Sequence, residues 1–115
     1  MTVRMYGIPN CDTVKKARLW LADRGIEFEF VDYKKVGADP ARLAEWVEVA
    51  GLDKLLNRAG TTFRKLPDEV KADLSTQKAI AVMVENPSTI KRPVVEYPGG
   101  LLVGFKPEEW EKAFA

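Results

Sequence analysis

The chain carries one cysteine, Cys11, within Gly7-Ile8-Pro9-Asn10-Cys11-Asp12-Thr13-Val14-Lys15-Lys16. A lone thiol in an apolar run is ordinarily an inert packing residue, whereas this one sits in a polar turn that leads into a helical pattern. At the first turn of a helix a sulfur faces unpaired backbone N–H groups and the positive end of the helix dipole, and both favour thiolate over thiol. Gly7, Pro9 and Asn10 are turn formers that can aim backbone amides at whatever binds the sulfur. Lys15 and Lys16 add positive field within one turn, and the adjacent Asp12 opposes them. Val14 stands where the second cysteine of a Cys-x-x-Cys pair would be. Such a monothiol can attack once and must borrow another thiol to resolve the mixed disulfide.

The composition narrows the chemistry further. There is no histidine, so no imidazole base or ligand is available, and a single cysteine supports neither an internal disulfide nor a zinc site. No metal and no bound cofactor are expected. The 115 residues suit a single domain, and 46% hydrophobic with 30% charged residues is ordinary globular composition. A formal charge of +1 argues against nucleic-acid binding driven by bulk charge. No apolar run approaches the roughly 18 residues of a membrane span, and the N-terminus lacks a secretory apolar stretch. A soluble, cytoplasmic protein, monomeric and not membrane-bound, is expected.

The elements that must position Cys11 follow from periodicity. Thr2 to Tyr6 alternates as a strand with Val3 and Met5 on one face. Asn10 is the expected N-cap of a helix carrying Val14, Ala17 and Leu21 and stopped by Gly25. Ile26 to Tyr33 alternates as a second strand, completing a βαβ unit. Asp39-Pro40 opens a helix with Leu43, Trp46, Val47 and Ala50 as its apolar stripe, ending at Gly51. Short helices are expected over Leu52 to Asn57 and Pro67 to Leu74, around a polar loop from Ala59 to Lys65. Ser75 caps a further helix that runs through Asn86 and is ended by Pro87. Val94 to Tyr97 and Leu101 to Gly104 flank Pro98-Gly99-Gly100 as a hairpin. Pro107 starts a last helix, with Trp110 and Phe114 facing inward. The order βαβ, helical insertion (about residues 38–74), αββα predicts an α/β thioredoxin-like fold of the glutaredoxin type, with a mixed four-stranded sheet.

The segment Gly7 to Ala17 resembles the opening of the arsenate reductase-like (ArsC/Spx) superfamily, and within it the YffB-type branch. Further matches follow in order at Asp32-Tyr33, Leu55-Leu56-Asn57-Arg58, Asn86-Pro87, Ile90 to Val95, and Leu102-Val103-Gly104-Phe105. The resemblance implies that Cys11 is the nucleophile and that Arg58 and Arg92 are two of three anion-binding arginines, the third falling near Lys106. It places Lys15 where the glutathione- and glutaredoxin-coupled reductases have arginine, Gly7 where they have histidine, and Pro93 at the cis-proline of the fold. With Asn10 and Thr13 beside the cysteine, these are the expected substrate-binding positions. The implied activity is that of a glutathione-dependent thiol reductase, with glutathione as co-substrate and a disulfide or small oxyanion as substrate, and with glutaredoxin as a possible partner. The alternatives are arsenate reduction and a non-enzymatic, Spx-like regulator that grips RNA polymerase.

Overall fold

The computed structural model describes residues 3–72 and 74–114. Its contacts divide it into two compact units, Met1–Val36 with Arg92–Ala115, and Gly37–Lys91. The first unit is built on β1 (Arg4–Gly7), where side-chain alternation buries Met5 under one sheet face and turns Arg4 to the other. Thr2, expected to open this strand, lies outside the described residues. Helix α1 (Asp12–Asp23) follows, then β2 (Glu29–Asp32) and the single-turn α2 (Tyr33–Val36). After the intervening second unit, the first unit closes with β3 (Val94–Tyr97), β4 (Gly100–Val103) and a final helix over Pro107–Ala113.

The strands lie in the order β2-β1-β3-β4, β1 and β2 parallel and the other pairs antiparallel. This is the expected mixed four-stranded sheet, and the α/β fold is thioredoxin-like. Val3, Met5, Val95 and Leu102 from one sheet face pack with Val14, Ala17, Trp20 and Leu21 of α1 and with Trp110 of the final helix. Trp110 is fully buried, and its indole N–H donates to the Gly104 carbonyl at 3.1 Å, so the buried polar atom is satisfied. Trp110 and Phe114 lie 6.2 Å apart between ring centroids, on the same side of their helix as expected.

The second unit contains α3 (Pro40–Ala50), α4 (Leu52–Leu55), α5 (Thr61–Arg64), α6 (Asp68–Ala72), α7 (Thr76–Glu85) and a 3-10 turn, Pro87–Thr89. The final helix is therefore α8. Asp39 and Ser75 cap α3 and α7 through their side-chain oxygens, accepting from the N–H groups of Ala41 and Lys78. Trp46 and Leu43 of α3 and Val82 and Met83 of α7 are buried. Helix α7 groups with the other helices of this unit, which runs to Lys91.

Several local expectations change, among them the helix expected over Leu52 to Asn57, which ends at Leu55. The expected loop from Ala59 to Lys65 contains α5, whose one buried apolar residue, Phe63, is too little for a periodic signal. The second strand is only Glu29–Asp32, and Tyr33 opens α2 instead of ending a strand. The helix expected over Pro67 to Leu74 is α6, shorter at both ends, and Asp73 lies outside the described residues. Among the described residues no helix is long and apolar enough to cross a membrane.

Candidate functional site

Beyond Gly7 the chain folds into a β-turn: the Cys11 N–H donates to the Ile8 carbonyl at 3.2 Å, with Pro9 and Asn10 at the corner. Cys11, rather than Asn10, is the N-cap of α1. Its backbone is extended (φ −85°, ψ 125°), and its carbonyl accepts the Lys15 N–H at 3.0 Å. Asn10, the expected cap, is an exposed turn residue one position too early. An N-cap side chain sits where it can accept from the second and third helical N–H groups. Here that acceptor is the sulfur, and the donors are Thr13 and Val14. Neither meets the distance and angle of a formed cap hydrogen bond to the thiol. They are oriented donors whose attraction grows when the sulfur ionises.

Cys11 is half-buried against the apolar cluster of the first unit. Burial by itself pushes the thiol pKa up, but the Val14 and Thr13 N–H groups outweigh it together with the Arg92 guanidinium, which hydrogen bonds to the sulfur and attracts its charge. The net effect holds Cys11 below the ordinary thiol value. The field expected from Lys15 and Lys16 comes instead from Arg92, 81 positions away in the chain; both lysines are exposed on the outer face of α1. Arg92 reaches the site from the start of β3. Tyr6 pairs with Val94, so the antiparallel β1–β3 pairing brings the segment just before Val94 to the end of β1 from which the cysteine turn leaves. The Arg92–Pro93 bond is cis, as the resemblance implied. Pro93 is buried, and its carbonyl accepts the Gly104 N–H at 2.8 Å.

The sequence-derived candidates have different surroundings. Cys11, Thr13 and Arg92 converge, and Pro93 follows Arg92 across the cis bond. Lys106 is exposed, caps α8 and pairs with Glu109 at 3.9 Å. Arg58 lies in the second unit, paired with Asp53 at 3.2 Å, beside a shallow hollow that Asn57 and Lys91 also line. Two residues escaped the sequence reading. Tyr33 is almost wholly buried, which holds its hydroxyl protonated by raising its pKa against the opposing pull of the Arg92 charge. Its ring stacks with that of Tyr6 at 6.4 Å, and the Tyr6 hydroxyl donates to Glu96 at 2.9 Å. Both tyrosines read from sequence as ordinary strand aromatics, because nothing local ties them to a residue near position 92.

Known proteins share this sequence pattern and fold. Residues 6–113 match the ArsC family. The solved structure of the YffB protein superposes with a TM-score of 0.95 at 51% identity, covering 98% of this chain and 99% of that one. An arsenate reductase (ArsC) related protein from Brucella melitensis gives 0.77, also at 51% identity, over 99% and 95% of the two chains. An uncharacterized protein of Haemophilus influenzae is 44% identical over 113 residues, 98% of this chain and 99% of its own. The global transcriptional regulator Spx of Listeria innocua is 27% identical over 112 residues, 93% of this chain and 82% of the regulator. With the family match running across nearly its whole length, the chain belongs to the ArsC family.

Proposed function

We propose that this protein is a monothiol oxidoreductase in which Cys11 exchanges with disulfides and glutathione resolves the product. The observation that carries the reading is the convergence of two backbone N–H groups and the Arg92 guanidinium on one half-exposed sulfur. In the first step the Cys11 thiolate attacks a glutathionylated thiol at its glutathione sulfur. A Cys11–glutathione disulfide forms, the substrate S–S bond breaks, and the substrate leaves as thiolate. A second glutathione thiolate then attacks the glutathione sulfur of that adduct, giving oxidised glutathione and restoring the Cys11 thiolate. The N–H groups and Arg92 stabilise the anion at the start and at the end of this cycle. The absence of a second cysteine makes an external resolving thiol obligatory.

Arsenate reduction demands more, because an oxyanion must be held by several converging cations while sulfur attacks arsenic. The charge acting on Cys11 is that of Arg92; Lys15 is exposed, and Gly7 supplies no side chain. The same proposal therefore makes arsenate a poor substrate. The test is glutathione-dependent reduction of a glutathionylated peptide, run beside arsenate reduction with glutathione and glutaredoxin. Turnover of the peptide, lost in Cys11→Ser, is expected. Robust arsenate turnover lost in the same variant would reverse the assignment. Inertness toward both would favour a regulatory role such as that named for the Spx relative.

A further inference from the structure

Gly7 ends β1 opposite Asp32 and is buried against α1. A Cβ at this position would lie 3.0 Å from Val14 Cγ2, 3.5 Å from Val14 Cγ1 and 3.8 Å from Phe30 Cε1. The first of these is well inside van der Waals contact. Val14 cannot readily yield, because a β-branched side chain in a helix has essentially one χ1 rotamer and this one is completely buried. Val14 is also the third residue of α1, and its own N–H is one of the two that face Cys11 Sγ. The side chain that locks onto β1 and the amide that faces the sulfur thus belong to one rigid residue.

We propose that Gly7 and Val14 are a positioning pair for Cys11: the missing side chain at residue 7 lets Val14 seat against β1, and that seating sets where the Thr13 and Val14 N–H groups stand relative to the sulfur. The inference rests on reading Cys11 as the reactive thiol. It also gives a physical reason for glycine at residue 7: a side chain there must push Val14 aside or be met by a smaller residue at 14.

The test is a double-mutant cycle read by the pH dependence of iodoacetamide alkylation, with thermal melts to show that each variant is folded. In Gly7→Ala the added methyl displaces Val14 and the donors with it. The alkylation midpoint rises, and the rate at a pH below both midpoints falls about threefold, as for a half-unit change. Val14→Ala slackens the same turn and moves the midpoint the same way. Gly7→Ala combined with Val14→Ala returns the midpoint toward wild type, because the methyl added at residue 7 fills space that the valine side chain vacated. A purely structural role would move the melting temperature without this reversal. An unchanged midpoint in folded Gly7→Ala overturns the inference, as does a double variant no closer to wild type than the singles. If Gly7→Ala does not fold, the double variant decides: folded with a wild-type midpoint supports the pair, and any other result refutes it. A wild-type midpoint at the free-thiol value would instead refute the parent reading, so the two failures are distinguishable.

Discussion

Replacing Arg92 with alanine perturbs Cys11 without touching the thiol. The guanidinium gives the sulfur both a hydrogen bond and an attractive charge, while the Val14 and Thr13 N–H groups remain in the variant. A hydrogen bond to a charged group contributes about 1.5–3 kcal/mol, and the half-exposed position of Cys11 favours the lower end because water screens the pair. Truncation also admits water to the sulfur, which relieves part of the burial that opposes ionisation. The net loss is therefore near 1.4 kcal/mol, which corresponds to about a tenfold fall in thiolate at any pH below both midpoints. Iodoacetamide alkylation measured from pH 5 to 10 should show the midpoint moving up in Arg92→Ala, with the rate plateau at high pH nearly unchanged. Arg92→Lys should fall between, since it keeps the charge and loses the planar fork. A midpoint that stays put or moves down in a folded Arg92→Ala would show that Arg92 does not act on the sulfur.

Cys11→Ser should fold and, at low pH, be more stable than wild type by about 0.5–1 kcal/mol, because serine is a preferred N-cap and a neutral thiol is not. Thermal melts would register this as a few degrees. The pH dependence has a definite sign: the folded pKa of Cys11 lies below the unfolded one, so the thiolate's contribution is fully present above the unfolded value, about 8.5, and is lost as pH falls through the folded value. The stability advantage of Cys11→Ser should accordingly shrink as pH rises across that window. In the core, Trp110→Ala should cost about 3–5 kcal/mol by chemical denaturation, since it empties a fully buried site and orphans the Gly104 carbonyl. Leu19→Ala, on an exposed face of α1, should change stability by less than about 0.5 kcal/mol.

The parts of this fold governed by local rules are legible in the chain. The Asp39-Pro40 start of α3, the Ser75 cap of α7 and the inward Trp110 stand as their patterns indicate, and so does the β3–β4 hairpin, except that Gly100 pairs with Tyr97 and leaves Pro98-Gly99 as the turn. What local rules miss is set by tertiary contacts. The cap of α1 falls on Cys11 because the Ile8 turn places Asn10 at its corner, so the best capping residue by type is not the one in position. The turn at α5 forms around a single buried phenylalanine. At the site, Cys11 is recognisable by its surroundings in sequence, but the source of its positive field is not. Lys15 and Lys16 are near in sequence and point to solvent, whereas Arg92 is brought in by the β1–β3 register. Tyr33 is hidden likewise, because it follows β2 and nothing in the sequence near it signals its burial or the Arg92 charge that acts on it.

The central claim, that Cys11 is a poised thiolate which exchanges with glutathione disulfides, is tested most directly by intact-protein mass spectrometry after treatment with oxidised glutathione at neutral pH. The account predicts a single glutathione adduct, mapped to Cys11, formed readily at pH 7, abolished in Cys11→Ser and released by reduced glutathione. No adduct below the pH range of an ordinary free thiol, with the protein folded, would contradict it.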